Sequence, residues 1–232
     1  MNNQKDKWEE AYNKKDNFVF YPHEEVIRFF AKYISKRTGL TTFQKKHSNT
    51  EELPKVLDLG CGIGRHVIFS NEMQVDAYGV DLSDSAIKFA IDWAKKAGIK
   101  NPKTKIVQSD ITKMPFQNNF FDFVVSHGVL DSMSESNSRN SIIETARVLK
   151  TGGYFYCDVV SGNDSTHSPD FHGEEIVKSE HEKDTIQLYF NVDSVKDFFS
   201  KHFNITEMIL IKRESITNNQ FISRFHLVLQ KI

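Results

Sequence analysis

A chain of 232 residues with 39% hydrophobic residues can build one α/β domain with additions and is too short for two full ones. Thirty Lys and Arg against 31 Asp and Glu leave a net charge of −1, which excludes a global basic field for nucleic acid or an anionic membrane. No run approaches the roughly 20 apolar residues of a membrane span, and MNNQKDKWEE lacks the apolar stretch of a signal peptide, so a cytoplasmic protein without membrane or nucleic-acid partners is expected.

Residues 1–52 are polar and charged, but HEEVIRFFAKYISKR sets Val26, Ile27, Phe30 and Ile34 at helical spacing. A helical N-terminal extension over 1–52 is expected to precede a main domain over 53–232, the whole folding as a single domain. The stretch TTFQKKHSNTEE has no period and reads as a linker that Pro54 ends. Strands are predicted near 55–59, 75–80, 104–108, 121–126 and 153–160, with helices near 64–72, 83–97 and 138–149. Such alternation argues for a parallel sheet with helices on both faces. A helix over NVDSVKDFFSKHF follows, with Asn191 or Asp193 as its cap, and the chain closes on two strand-like runs, FNITEMILIKRES and FISRFHLVLQKI, joined as a hairpin. Sequence does not say where that antiparallel pair enters the sheet. Cys61 and Cys157 lie in or beside strands without CxxC spacing, which fits reduced packing residues and neither a disulfide nor zinc.

Ligands of open α/β sheets bind at the carboxyl ends of the strands. Four successive predicted ends carry polar groups: Asp58 with the turn Gly60-Cys61-Gly62-Ile63-Gly64, then Asp81, then Ser109 and Asp110, then Ser126 and His127. A carboxylate about twenty residues beyond the glycine turn can accept both hydrogen bonds of a ribose diol. Arg65 stands in the third-glycine slot of the dinucleotide fingerprint, which disfavours a pyrophosphate and with it a nicotinamide-dependent oxidoreductase. Asp81 and Asp110 also read as helix N-caps, the glycines as a tight turn alone, and Gly152-Gly153 as a turn before a strand.

Together, VLDLGCGIG, GVDLS, the S-D-I turn, FDFVVSHGVL and ARVLKTGGYFYCDVV resemble the class I S-adenosylmethionine-dependent methyltransferases over about residues 55–160 plus the terminal hairpin. The resemblance implies a three-layer, Rossmann-like α/β fold with a mostly parallel seven-stranded sheet and an antiparallel C-terminal strand. It implies S-adenosylmethionine as cofactor, with Gly60, Gly62 and Gly64 beneath its methionine part, Asp58 near its ammonium and Asp81 on the ribose. Leu82 would pack on the adenine, Asp110 and the Ile111 N–H would meet its edge, and Ser126 and His127 would lie at the methionine end. His127 is the candidate general base, against the alternative that it offers only its backbone. Trp8, Tyr12, Phe18, Phe20 and Tyr21 are candidates for an aromatic lid over the acceptor, or for packing alone. Tyr12, Tyr21, His23 and His167 are the candidate acceptor contacts, and His167, Asp170 and His172 lack the pattern of a metal site. Ser126-His127-Gly128-Val129 departs from the N/D-P-P-Y/F of enzymes that methylate planar amide or exocyclic amino nitrogens. A small-molecule acceptor methylated on oxygen or nitrogen is expected; a protein or other macromolecular acceptor and a non-catalytic cofactor-binding module are the alternatives.

Overall fold

The computed structural model describes residues 2–15, 18–47, 52–178 and 184–232. In chain order its elements are α1 (Asn2–Lys14), α2 (Glu24–Phe29) continued by a π-helical turn (Phe30–Ile34), β1 (Ser35–Arg37), β2 (Phe43–Lys45), β3 (Lys55–Leu59), α3 (Arg65–Glu72), β4 (Asp76–Asp81) and α4 (Asp84–Lys96). They are followed by α5 (Pro102–Lys105), β5 (Ile106–Gln108), β6 (Phe121–Ser126), α6 (Glu135–Val148), β7 (Leu149–Val160), β8 (Gly173–Ile176), β9 (Ile186–Tyr189), α7 (Val192–Phe199), β10 (Phe203–Ser215) and β11 (Gln220–Lys231). No helix among the described residues is long and apolar enough to cross a membrane.

Seven strands form one sheet in the order β10-β11-β7-β6-β3-β4-β5. Its pairs are parallel except where β11 runs antiparallel between β7 and β10, so the α/β architecture with a single reversed C-terminal strand is as expected. Alternation along each central strand feeds two cores. Leu57, Val124, Phe155, Cys157 and Leu227 join Ile142 of α6 and Phe198 and Phe199 of α7 on one face. On the other, Val56, Phe123, Val125, Tyr156 and Val228 receive Val26 and Phe29 of α2 with Phe30 and Ile34 of the π turn. There, towards β4, α3 and α4 pack Val67, Ile87, Ala90 and Ala94. Burying both faces is why these strands read as near-continuous apolar runs.

Helix starts follow local chemistry. Ser83 Oγ accepts from the Ala86 N–H to cap α4, Ser134 caps α6, and Asn191 with Ser194 closes a reciprocal capping box on α7. Asp81 therefore does not cap α4, and Asp110 heads a turn in which it accepts from the Thr112 N–H and hydroxyl. Asp193, the other candidate cap of α7, lies inside that helix.

Several boundaries differ from the sequence expectation. Polar α1 carries no long apolar stripe and escaped the periodicity reading. Ile27 is 41% exposed although its spacing suggested burial, because α2 already turns Val26 and Phe29 to the sheet and Ile27 lies about 100° round the helix from Val26, while the π turn carries Phe30 and Ile34 on the buried side. Part of the expected linker forms β2, paired with β1, and residues 48–51 lie outside the described residues. The loop after β7 contains the β8–β9 hairpin, and the expected turn at Gly152-Gly153 lies within the span of β7, where the pairing to β6 jumps from Leu149 to Tyr154 and Gly152 holds φ +77°.

Candidate functional site

Strands β3, β4, β5, β6 and β7 point the same way, so Gly60, Asp81, Ser109 and His127 meet on one edge of the sheet. Chain order reverses between β3 and β6, which opens the crevice there. Gly60, Gly62 and Gly64 hold φ of +71°, +52° and +93°, the left-handed backbone that glycine alone adopts freely. The loop is pinned to β4, the Gly60 and Cys61 N–H groups both donating to the Val80 carbonyl at 2.9 Å. A Cβ on Gly60 would lie 2.5 Å from Val129 Cγ2 in the turn after β6. Gly60→Ala is therefore expected to cost about 2–3 kcal/mol through backbone strain and overpacking together. A denaturant midpoint equal to wild type would show that this loop and the β6 turn are not held against each other.

Asp81 is buried and its two oxygens accept from the Gly62 N–H at 2.8 Å and the Ser83 N–H at 2.9 Å. Burial raises its pKa to about 6, against the pull of those two donors. Asp58 is buried with Oδ1 3.5 Å from His66 Nδ1, and its Oδ2 has no hydrogen-bond partner among the described residues. His66 Nε2 accepts the backbone N–H of His23 at 3.2 Å, so its ring hydrogen sits on Nδ1, facing Asp58.

The N-terminal segment closes over this edge. Glu9 accepts from Ser83 Oγ at 2.6 Å and from the Ser85 N–H at 3.1 Å, which fixes α1 at the start of α4. The Tyr12 hydroxyl lies 2.5 Å from where a Gly62 Cβ would stand. Phe18 packs on Phe89, and Phe20 on Phe89 and Trp93, so these two serve packing onto α4. Tyr21 is 82% exposed, and only its carbonyl turns to the crevice, toward Arg65.

At the end of β6 the Ser126 hydroxyl donates to the Leu59 carbonyl, and its backbone lies in register with Cys157 of β7. His127 lies in a cluster that sequence reasoning did not assemble. The His23 ring packs 3.9 Å from that of His127 and 5.8 Å from that of His226. Arg65 Nη2 approaches His127 Nδ1 at 3.3 Å, and His127 Nε2 faces Asp158 Oδ2 at 3.6 Å. Burial lowers the pKa of His127 to about 3 and of His23 to about 4, Asp158 opposing both, and burial lowers His226 as well. Behind them Arg224 bridges two buried carboxylates, Asp158 and Asp131. Burial alone would raise Asp158, but Arg224 and His127 hold it below its ordinary value, whereas burial leaves Asp131 raised despite Arg224.

The remaining expected residues are placed as follows. Leu82 is half-buried and its carbonyl accepts from Gln108 Nε2, Ile111 is buried, and Asp110 is exposed. His167 is held between Asp164 and Glu175 and stacked on Phe171, in the loop that carries β8, and no contact joins it to His127. Among the described residues no group of three or more His, Cys, Asp or Glu side chains is placed to hold a metal ion.

A methyltransferase-domain family profile matches residues 50–210, more than half of the chain. The chain belongs to the class I S-adenosylmethionine-dependent methyltransferases. Among curated relatives, the sterol 24-C-methyltransferase ERG6B of Gibberella zeae is 35% identical over 104 residues, covering 44% of this chain and 26% of that protein. Phosphoethanolamine N-methyltransferase 3 of Arabidopsis thaliana is 31% identical over 160 residues, covering 66% of this chain and 31% of that one. The chain thus matches only about a quarter to a third of these relatives' length. A solved S-adenosylmethionine-dependent methyltransferase from Methanosarcina mazei superposes with a TM-score of 0.64 at 23% identity, over 79% of this chain and 94% of that one, a likeness of fold.

The cofactor of this methyltransferase family fits the residues present. A buried carboxylate oxygen without a hydrogen-bond partner among the described residues suits an ammonium, and the positive-φ glycine turn sets backbone rather than side chains at this strand end, with the Tyr12 hydroxyl lying against Gly62. Arg65, His66, Asp158, Arg224 and His226 were missed by strand-end reasoning. The signal for the last two was present in SRFHLVL, where Arg224 and His226 alternate with buried apolar residues, but their partner Asp158 became visible only through the β11–β7 register that sets His226 opposite it.

Proposed function

We propose that the protein transfers the methyl group of S-adenosylmethionine to an oxygen or nitrogen of a small-molecule acceptor. The observation that carries this reading is the unpartnered Asp58 Oδ2 beside the glycine loop, on the same sheet edge as Asp81 and the histidine cluster. The relatives named for sterol and phosphoethanolamine methylation support an acceptor of that size class. In this reading Asp58 holds the cofactor ammonium, Gly60, Gly62 and Gly64 underlie its methionine part, and Asp81 takes the ribose diol. Leu82, Asp110 and Ile111 frame the adenine, with the backbone of Ser126 and His127 at the methionine end. Tyr12 and His23 close the crevice, and Tyr21 contributes its carbonyl only. The bound cofactor supplies an electrophilic methyl on a good leaving group, and the protein's share is alignment and exclusion of water.

No side chain in this reading takes the acceptor's proton. His127 Nδ1 faces the Arg65 guanidinium and its pKa of about 3 makes it a poor base at neutral pH. His127→Ala is expected to keep turnover within about tenfold with an unchanged pH profile, since a true base contributes about 10²–10⁴-fold. A loss of a hundredfold or more with a flattened profile would restore His127 as base.

The test of the whole reading gives the purified protein methyl-labelled cofactor with a cell lysate, then separates products by mass. Label is expected in the low-mass fraction. Label confined to a protein or RNA band would move the activity to a macromolecular acceptor.

A further inference from the structure

Among the described residues, Arg65 is a crevice cation that no carboxylate meets within ion-pair distance, although Asp58 and Asp158 act on it from farther away. It is half-buried as the first residue of α3, and burial depresses its pKa against the pull of Asp58. Its polar contacts among the described residues are long, 3.3 Å to His127 Nδ1 and 3.5 Å to the Tyr21 carbonyl, and no carboxylate stands within 4.0 Å of it. A guanidinium has five N–H donors and matches an oxyanion in fork geometry. Leaving most of them unmatched at a half-buried position costs free energy that a bound anion returns.

Its neighbours point the same way. His23 Nδ1 accepts from the Glu25 N–H, so its ring hydrogen is on Nε2. The Tyr156 hydroxyl lies 2.8 Å from His226 Nδ1 and has no other acceptor among the described residues, which puts the His226 hydrogen on Nε2 too. With the His127 Nδ1 lone pair turned to Arg65, its hydrogen also lies on Nε2. The His23 ring, packed on that of His127, thus carries a ring N–H beside the guanidinium, whereas the His127 Nε2–H is turned to Asp158. The nearby carboxylate, Asp158, is already engaged by Arg224 at 2.7 Å and by the Gly128 N–H at 2.8 Å, so its charge is answered from behind.

We propose that Arg65, beside the rings of His23 and His127, forms the subsite for an oxyanionic group of the acceptor, a carboxylate or a phosphate. The inference rests on the methyl-transfer reading of this crevice and narrows its acceptor to a molecule that carries such a group. The rival occupant of the guanidinium is the carboxylate of the cofactor's own methionine part.

The test uses protein labelled with ¹³C on its histidine rings and loaded with S-adenosylhomocysteine. It is titrated with formate, inorganic phosphate and the neutral isostere formamide at constant ionic strength. Saturable shifts of the His23 and His127 signals are expected with formate or phosphate and not with formamide; the tighter of the two anions names the acceptor's group. Arg65→Met should weaken that binding about tenfold or more while holding S-adenosylhomocysteine affinity within about threefold, with Arg65→Lys in between. Cofactor binding by each variant also reports that it is folded. Equal response to formamide, no saturable response to either anion, or an Arg65→Met variant that loses cofactor affinity instead would each overturn the subsite. Failure to bind S-adenosylhomocysteine would sink the proposed function, whereas failure to bind anions in the loaded protein sinks only the subsite; anion binding seen only when the titration is repeated without cofactor would give the guanidinium to the cofactor's carboxylate and overturn the subsite.

Discussion

Arg224→Met is expected to destabilise the protein by about 3–5 kcal/mol, because it strands two buried carboxylates without their cation. Arg224 Nε donates to Asp158 and Nη2 to Asp131, each at 2.7 Å, and both carboxylates are 1% exposed. At about 2–4 °C per kcal/mol for a domain of this size, the thermal midpoint should fall by roughly 6–20 °C. The loss should depend on pH with a definite sign. Asp158 has a folded pKa below its unfolded one, so it contributes stability above the unfolded value near 3.8 that disappears as pH falls through the folded value. Without Arg224, burial would push both carboxyls upward, so the variant should weaken as pH rises and approach wild type in acid. A midpoint within about 2 °C of wild type at pH 7 would mean that water, not Arg224, answers these charges. Lysine at 224 is expected to be intermediate, since one ammonium does not reproduce the fork that spans Asp131 and Asp158.

Asp81→Ala is expected to lower S-adenosylhomocysteine affinity by about a hundredfold or more. Two charge-assisted hydrogen bonds to a ribose diol are each worth about 1.5–3 kcal/mol, and the variant also releases the Gly62 and Ser83 N–H groups that shape the loop. In the wild-type protein the raised pKa of Asp81, about 6 without ligand, makes the same bonds sensitive to pH. The diol donates, so it favours the ionised carboxylate. Affinity should be full above pH 6 and fall as pH drops through it, by up to about tenfold per unit until the bound state also takes the proton. The folding sign is the reverse: a folded pKa raised above 3.8 means that ionising Asp81 costs stability in the unliganded protein as pH rises toward 6. Calorimetric titrations from pH 5 to 8 check both variant and profile. Affinity indifferent to pH in the wild type, or retained in Asp81→Ala, would remove Asp81 from the ribose.

The central elements were legible because their signals are local. KVLDL and FDFVVS read as buried strands from their apolar runs, the glycine turn from residues that suit positive φ, and the terminal hairpin from two strand runs around a short polar turn. Elements whose stability comes from distant partners were not. α1 is polar along its length, and its placement depends on Glu9 meeting Ser83 and Ser85, residues more than seventy positions away. The π turn gives the sequence no local mark, yet it is the segment that carries Phe30 and Ile34 into the core beside the buried Val26 and Phe29, while Ile27 faces solvent. Tyr21 and His167 were plausible acceptor contacts by loop position alone; one side chain is exposed and the other is tied to Asp164 and Glu175.

For this protein the sequence by itself determined the strand and helix alternation, the polar residues at four successive strand ends and a glycine spacing that disfavours a dinucleotide. Those properties reside in neighbouring residues and their periodicity. Only the tertiary structure decided what surrounds the place where an acceptor would sit. His23 from the N-terminal segment, Arg65 and His66 from α3, His127 after β6, Asp158 from β7 and Arg224 and His226 from β11 are spread over some two hundred residues; the pairing of β3 with β6 sets α3 beside His127, and β11 entering beside β7 adds Arg224 and His226. Burial and mutual contact then set which imidazole nitrogen carries its hydrogen and which charges face one another, and neither is encoded in spacing along the chain.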